Sequence, residues 1–422
     1  MTSSSIIVRP LASDAERELQ FQLADQAFST DPSPSNAAYW EQLITTLPEH
    51  RPEQLRGAFR NGEQLGGYIM YERVMRMGVA RLLTGCIGAV VTHTAYRNQR
   101  VATALLQDAT NYALSHNHAL LLLDGIPKFY HRFGYSDMFD LSTQEVVRAA
   151  ILAQPPSTHR VRHATLEDAS DVLALYDRHY GSFTRTVEQQ IHRLQYRSPD
   201  NPMLLAVNAA GQVQGYLALQ RPDRSVAWEL AADNWMAALA LLQYHAKLLD
   251  GPEAPFTLRY RLPLTSPIAE WMIDHLEVPD TSQWRSPAEE WGIRSETYHH
   301  RDTGWMARLV RLSTVMQAIL PELEERWKRS LAQWSGDISL IVGEETYMLG
   351  INGTELHYVD KPGMASNAVR FTPEAFVQVI FGYRSIAWAM QNNGQRISSD
   401  LLTVLNVLFP VGHTWIPASD AF

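Results

Sequence analysis

Hydrophobic and polar positions follow two different periods along residues 84–135, and together they predict a strand, a loop, a helix and a second strand. Residues 86–91 form a short apolar run rich in β-forming residues, as expected of a buried strand. Over residues 101–115, apolar residues recur every three or four positions, which is typical of an amphipathic helix. Residues 119–123 are again apolar and predict a strand after the helix.

The polar loop at residues 92–100 joins the first of these strands to the helix. Its turn presents free backbone N–H groups at a helix N-terminus, where the positive end of the helix dipole also lies, and such turns bind phosphate. Arg97 and Arg100 add positive charge at the same place. The glycine-rich motifs of dinucleotide and NTP sites are both absent from the sequence, so neither ligand is indicated.

The residues before this stretch predict a strand, two helices and a β-hairpin. The strand covers residues 5–9, and the first helix begins at Ser13-Asp14 and runs to about Phe28. The second helix contains Trp40. An Asn61-Gly62 turn between residues 55–60 and 64–72 is typical of a hairpin.

A similar order of elements returns after a linker at residues 154–157. A strand near Val161 is followed by two helices, a hairpin through residues 208–211, a strand at 226–231 and a helix at 235–249. The junction before this last helix contains Asp233 and no basic residue, and a carboxylate there would repel phosphate. We therefore expect that the second copy has lost cofactor binding, or never had it.

From about residue 293 the pattern predicts a different α+β module. It has a strand at residues 305–311, a helix at 315–330, and three short strands at 338–342, 346–351 and 355–359. Two further helices are predicted by the capping residues Thr372 and Ser398.

Composition narrows the class of protein. The 422 residues are too many for one ordinary core, so two or three domains are expected. No apolar run is long enough to cross a membrane and the polar start is not a signal peptide, which predicts a cytoplasmic protein. The net charge of −9 disfavours nucleic acid or an anionic membrane as the main partner. A single cysteine, Cys86, excludes an intramolecular disulfide and a cysteine-based zinc site.

The loop, its strand and a later aromatic segment resemble the GNAT superfamily of acetyl-CoA-dependent N-acetyltransferases. That family's pyrophosphate loop reads Arg/Gln-x-x-Gly-x-Gly/Ala, and residues 97–102 read RNQRVA, with Arg100 in place of the first glycine. Residues 128–135, KFYHRFGY, are similar to the family's Phe-Tyr-x-x-x-Gly-Phe/Tyr segment. The resemblance covers residues 5–150 and implies acetyl-CoA as cosubstrate.

Over nearly the whole chain, the order of elements resembles the Eis type (enhanced intracellular survival) branch of that superfamily. The branch has two GNAT folds, the second silent, and a C-terminal sterol-carrier-protein-like domain. The implied fold class is α+β with mixed α/β sheets, and the implied domains are residues 1–153, 154–292 and 293–422. Since the branch forms hexamers, the resemblance also implies a homohexamer.

The branch's pattern assigns roles to individual residues. Tyr130 falls on its general acid and the Phe422 terminal carboxylate on its general base; a core tyrosine and a tail docked only for packing remain the alternatives. Phe28 and Trp40 match an aromatic pair that lines the amine pocket, although both also suit ordinary core positions. The acidic pocket residue falls on Thr30, with Asp31 one place along. The implied cofactor-binding residues are Val90, Val91, Thr92, Arg97, Asn98, Gln99, Arg100, Val101, Ala102 and Thr103.

The reaction implied is direct attack of a primary amine on acetyl-CoA in a ternary complex, because no activated nucleophile is visible in the sequence. Two alternatives stay open: a non-catalytic lipid- or protein-binding module with a vestigial CoA site, and a transferase for longer acyl-CoA. Histidines such as His93 and His131 lack metal-ligand spacing, so no metal is predicted. The acceptor amine stays open.

Overall fold

The computed structural model groups the chain into two compact units. The structure describes residues 5–196, 202–263, 265–276, 293–299, 301–360, 366–412 and 414–420. The first unit comprises residues 1–139, 300–414 and 422, and the second comprises residues 140–299 and 415–421.

A seven-stranded sheet forms the centre of the first unit. Numbered along the chain, its strands are β1 (Ile7–Pro10), β2 (Leu55–Arg60), β3 (Glu63–Met77), β4 (Ala80–Thr92), β5 (Leu120–Gly125), β6 (Ser136–Asp137) and β14 (Gly304–Leu309). Their order in the sheet is β1-β2-β3-β4-β5-β14-β6, and β4 and β5 are the parallel pair among antiparallel neighbours. The associated helices are α1 (Asp14–Phe28), α2 (Pro34–Thr45) and α3 (Val101–Ser115).

Local sequence explains these boundaries well. The Ser13 side chain accepts a hydrogen bond from the Glu16 amide and caps α1 as predicted. The hairpin between β2 and β3 turns at Asn61 and Gly62, whose φ angles of +53° and +86° are those that the Asn-Gly pair favours. The apolar face of α3 contributes Leu105 and neighbouring residues to the core against the sheet.

A second seven-stranded sheet forms the centre of the second unit. Its strands are β7 (Leu141–Val147), β8 (Arg160–His163), β9 (Leu204–Val207), β10 (Val213–Leu219), β11 (Val226–Ala232), β12 (Thr257–Tyr260) and β13 (Ile293–Tyr298). The helices are α4 (Arg148–Leu152), α5 (Ala169–His179), α6 (Val187–Gln195), α7 (Trp235–Leu248) and α8 (Pro267–His275).

The two sheets have the same topology. Read from β8, the second sheet runs β8-β9-β10-β11-β12-β7-β13, and β11 and β12 are its parallel pair. The sixth place is filled by β14 in the first sheet and by β7 in the second, and both are antiparallel to the fifth strand. The strand predicted at 305–311 is present as β14. It belongs to the first sheet, whereas the sequence pattern assigns it to the C-terminal module. The domain limits at 153 and 292 stay a prediction.

A four-stranded sheet completes the first unit. Its strands are β15 (Gly336–Val342), β16 (Glu345–Asn352), β17 (Glu355–Tyr358) and β18 (Asn367–Phe371), in the order β17-β16-β15-β18. The helices are α9 (Leu312–Arg329), α10 (Pro373–Ile380), α11 (Ile386–Asn392) and α12 (Ser399–Leu408). The buried Glu322 of α9 accepts a 2.9 Å hydrogen bond from the Val79 amide, between β3 and β4. The predicted fold class, α+β with mixed sheets, is confirmed. None of the helices described in the structure has the length and apolar character needed to cross a bilayer.

Candidate active site

The first sheet opens between its two parallel strands. Pairing of β4 with β5 covers three residue pairs and ends at Cys86 and Leu122, whereas β4 continues as far as Thr92. Beyond the last pair, Val90 packs with the core cluster that includes α3, and Val91 packs with residues of α1. The segment Val90 to Thr92, predicted to contact the cofactor, therefore forms the edge of β4 that β5 has left.

A bulge in β4 accompanies this opening. Ala89 has a φ of +47°, and the register with β3 shifts between Gly67 and Ile69. The buried Gln20 of α1 donates its side-chain amide to the Ala89 carbonyl at 3.1 Å. Glycine at position 67 leaves room for this side chain, because a Cβ there would lie 2.3 Å from the Gln20 side-chain oxygen.

The bend that precedes α3 has backbone amides available for an anion. Ala104 donates the first intrahelical hydrogen bond to the Arg100 carbonyl at 3.1 Å, so the N–H groups of Val101, Ala102 and Thr103 precede any intrahelical acceptor. Arg100 occupies the N-cap position with a φ of +63°, and its side chain does not cap the helix. This left-handed conformation is the one that glycine adopts without strain, so the arginine preserves the backbone shape of a glycine-containing loop.

The side chains around the bend are mostly basic and exposed. Arg97 and Arg100 are exposed, as are Asn98 and Gln99. Arg60, at the end of β2, donates a 2.7 Å hydrogen bond to the Gln99 side chain and brings a third guanidinium to the bend. Sequence reasoning missed Arg60, because its neighbour Gln99 is 39 positions away and only the pairing of β1 to β4 brings them together.

Tyr130 lies in a short 3-10 turn, Tyr130–Phe133, that follows β5. It is 7% exposed, and its ring makes edge-to-face contacts with Phe129 and Tyr135. Burial raises the pKa of Tyr130 to about 12, and the negative charge of Asp124 adds to the effect. The phenol therefore stays protonated far above neutral pH.

The residues predicted to line the amine pocket lie on α1, on α2 and in the segment between them. Trp40 of α2 packs against the cluster of Leu23, Ala24 and Val91 beside the bulge. Phe28, the last residue of α1, is 52% exposed, and Asp31 is exposed in the following segment.

The segment between α1 and α2 is held by a buried carboxylate that sequence reasoning missed. Asp25 accepts hydrogen bonds from the Ser29 hydroxyl and, at 2.6 Å, from the Ser33 amide. Because these bonds fix both ends of the segment, they also fix the position of Asp31 between them.

The predicted base, Phe422, lies outside the described residues. The described part of the tail, residues 414–420, includes a short 3-10 turn, Ala418–Asp420. Among the described residues, no group of three or more histidine, cysteine, aspartate or glutamate side chains is arranged to hold a metal ion. His93 instead accepts a hydrogen bond from the Ala95 amide at 3.2 Å, and Cys86 is buried.

The corresponding junction in the second sheet has a different chemistry. The Asn234 side chain caps α7 by accepting a hydrogen bond from the Ala237 amide at 2.9 Å. Asp233 lies beside it and pairs with Arg178 at 2.8 Å. The filled cap occupies one of the amides that a phosphate would need, whereas the Asp233 charge expected to repel phosphate is paired with the Arg178 guanidinium.

Comparison with known proteins agrees with this geometry. Residues 8–138 match the sequence profile of the acetyltransferase (GNAT) domain. A search of curated proteins gave no match. A GCN5-related N-acetyltransferase from Anabaena variabilis has a similar structure, with a TM-score of 0.70 at 15% identity, covering 97% of this chain and 98% of the other.

Two further structures are similar over their full length. Eis1 from Mycobacterium abscessus has a TM-score of 0.65 at 17% identity, covering 99% of this chain and 100% of its own. A conserved protein from Enterococcus faecalis, described as a probable N-acyltransferase, has a TM-score of 0.72 at 14% identity and covers 98% of both chains. The chain is therefore similar to GNAT acetyltransferases in sequence over residues 8–138 and in fold over nearly its whole length.

Proposed function

We propose that this protein transfers an acetyl group from acetyl-CoA to a primary amine by direct attack in a ternary complex. The observation that carries the proposal is the succession of two features on one stretch of chain. The edge of β4 that ends at Thr92 is left open by β5, and the uncapped start of α3 follows within nine residues, at Val101. A strand edge and an anion-binding bend placed in this order suit an extended thioester with a diphosphate at one end.

The residues at the bend bind the diphosphate through backbone amides and charge. The amides of Val101, Ala102 and Thr103 donate hydrogen bonds at the positive end of the α3 dipole. Arg97 and Arg100 supply the charge from exposed positions. Acetyl-CoA supplies the activated acetyl group when bound.

The β4 edge positions and polarises the thioester. A backbone N–H near Val90 and Thr92 stabilises negative charge on the carbonyl oxygen as the amine attacks. Val91 completes the strand edge that contacts the cofactor. The bulge at Ala89 shifts the register with β3, and pairing with β3 resumes at Val91 and Thr92.

Two groups move the protons. The Phe422 terminal carboxylate accepts the proton that the attacking amine loses as the new C–N bond forms. Tyr130 donates a proton to the sulfur as the C–S bond breaks, so CoA leaves as the thiol. The tyrosine then regains a proton and the Phe422 carboxylate releases its proton to solvent, and together these two transfers return the enzyme to its starting state.

Phe28, Asp31 and Trp40 are proposed to line the amine site. The carboxylate of Asp31 suits a cationic amine, and the exposed ring of Phe28 provides an apolar surface. We further propose, from the resemblance, a sterol-carrier-protein-like C-terminal domain, a homohexamer and a cytoplasmic location.

Calorimetry and a thiol-release assay test the proposal together. Wild-type protein should bind acetyl-CoA, and a panel of polyamines, aminoglycosides and lysine peptides should include an amine that releases free CoA thiol. Absence of cofactor binding at high micromolar acetyl-CoA would contradict the proposal and favour a non-catalytic binding module. Because a similar structure is described as a probable N-acyltransferase, longer acyl-CoA thioesters are the second candidate, and comparing acetyl, propionyl and longer chains decides between them.

A further inference from the structure

The second sheet has an opening at the same place as the first. Pairing of β11 with β12 covers Val226 and Ala227, opposite Arg259 and Tyr260, whereas β11 continues as far as Ala232. The position of this opening in the strand order is that of the β4–β5 opening in the first sheet. Since β12 itself ends at Tyr260, β11 runs on without β12 as a partner from residue 228 to Ala232.

The tail of the chain lies against the strand that borders this opening. Asp420 has no solvent exposure. One of its carboxylate oxygens accepts hydrogen bonds from Arg185 at 2.8 Å and Arg193 at 2.6 Å, and the other accepts one from the Tyr176 hydroxyl at 2.8 Å. Arg193 also donates a 2.8 Å hydrogen bond to the Ser419 carbonyl.

The strand next to the tail and the segment between α5 and α6 contribute buried charged side chains that complement the tail carboxylate. Glu229 of β11 accepts hydrogen bonds from Arg185 at 3.1 Å, from Tyr216 at 2.6 Å and from the Ser419 hydroxyl. The Arg185 guanidinium lies 3.4 Å from the centre of the Tyr176 ring. Two guanidinium groups thus meet two carboxylates, and one of those carboxylates belongs to the tail. Without Asp420, the cluster would retain an excess buried positive charge.

The segment between α5 and α6 also binds the tail. It contains Arg185 and Ser182, whose hydroxyl donates to the Trp415 carbonyl. In the first fold, the segment between α1 and α2 has the same place in the order of elements, and it carries Asp31, one of the residues predicted to line the amine site. The tail therefore contacts, in the second fold, the segment that corresponds to the one carrying Asp31 of the proposed amine site in the first.

We propose that the second fold is a binding site for an acidic peptide segment, that its ligand is residues 415–420 of this chain, and that this contact holds Phe422 in position. Arg185, Arg193 and Tyr176 are then positioning residues that act through Asp420. The statement about Phe422 rests on the proposed function, because it takes the terminal carboxylate as the base. The statement that the second fold binds residues 415–420 does not depend on the proposed function.

Hydrogen exchange of the tail tests the binding site without any activity assay. Arg193→Met removes a guanidinium whose side chain is 26% exposed, and Arg162→Met is the matched control at 34% exposed. Arg162 makes a comparable 2.6 Å pair with Asp168 at the start of α5 and does not contact the tail. We expect amides of residues 415–420 to exchange at least about tenfold faster in Arg193→Met and in Asp420→Asn, and at the wild-type rate in Arg162→Met. Wild-type exchange in both tail variants would overturn the proposal.

Turnover then tests the positioning role. Arg193→Met should lower kcat at least about tenfold with an unchanged KM for acetyl-CoA, and Arg193→Lys, which restores one charge, should recover part of both kcat and tail protection. Faster tail exchange with wild-type kcat would overturn the positioning role. A wild-type chain extended beyond Phe422 separates the two proposals: full activity there removes the carboxylate from the mechanism, while the exchange result still decides the binding site.

Discussion

The buried Gln20 side chain donates a 3.1 Å hydrogen bond to the carbonyl of Ala89, whose φ of +47° marks the bulge in β4. One helix of the first fold thereby holds the irregular residue next to the edge proposed to bind the thioester. The contact links packing to chemistry, because the bulge lies between Cys86, the last residue of β4 that pairs with β5, and the segment from Val90 to Thr92, which pairs with β3 but not with β5.

Gln20→Leu should therefore weaken both stability and cofactor binding. It leaves the carbonyl of the half-buried Ala89 without its donor, which costs on the order of 1 kcal/mol of unfolding free energy. Gln22→Leu on the same helix is the control, since Gln22 bonds Glu18 within α1. Denaturant unfolding and the acetyl-CoA Kd are the measurements. Equal effects of the two substitutions on Kd would show that the Gln20 contact does not position the strand edge.

Tyr130→Phe should lower kcat about 10²- to 10⁴-fold, the usual contribution of a general acid, and leave the acetyl-CoA Kd within a few-fold of wild type. Tyr135→Phe is the matched control. Its hydroxyl is buried without a hydrogen-bond partner among the described residues, so removing it should leave kcat unchanged and should not destabilise the fold. A loss of turnover in Tyr135→Phe equal to that in Tyr130→Phe would point to packing as the common cause.

The pH dependence of kcat should reflect the raised pKa of the buried Tyr130 phenol. Burial disfavours the phenolate and raises the pKa of Tyr130 to about 12, so the active, protonated form is lost only as the pH approaches that value. Between pH 8 and about pH 10, the ordinary phenol pKa, we expect no decline in kcat that depends on Tyr130. An alkaline decline centred near pH 10 in wild type and absent from Tyr130→Phe would contradict the raised pKa of Tyr130.

Arg100→Gly and Arg100→Ala separate the backbone of the bend from its charge. Both remove the guanidinium, but only glycine relieves the left-handed conformation, which costs a non-glycine residue about 1–2 kcal/mol. Arg100→Gly should therefore be the more stable of the two variants and bind acetyl-CoA at least as tightly as Arg100→Ala. Thermal unfolding and calorimetry provide the comparison, and a more stable alanine variant would refute the backbone argument.

One acetyl-CoA should bind per chain. The first fold offers the uncapped start of α3, whereas the Asn234 side chain already accepts a hydrogen bond from an amide at the start of α7. The stoichiometry from calorimetry on protein of known concentration checks this, and two equivalents per chain would show that the second cleft also takes the cofactor.

Local patterns in the sequence predicted the elements that carry the candidate site. The Ser13 cap, the Asn61-Gly62 turn and the period of residues 101–115 depend on near neighbours in the chain, and each was found as predicted. The effect of Arg100 was not predictable in this way, because a residue name does not show that φ is +63°.

Such local patterns could not predict contacts between residues that are far apart in the chain. The strand β14 pairs with β5 although their paired residues are 179 to 189 positions apart, and its apolar residues suit the third module equally well. Asp420 and Arg185 are 235 positions apart, so no spacing rule connects them. Both contacts depend on tertiary packing, which decides where an apolar strand or a buried charge finds its partner.

Calorimetric titration of acetyl-CoA into two proline variants tests the anion-binding bend most directly. Ala102→Pro and Met236→Pro place proline at the same position, the second residue of α3 and of α7, where a helix tolerates it because that N–H has no intrahelical acceptor. Ala102→Pro should weaken acetyl-CoA binding about 10- to 100-fold by removing one charge-assisted hydrogen bond, and Met236→Pro should leave the Kd unchanged. Wild-type affinity in a folded Ala102→Pro protein would contradict the account.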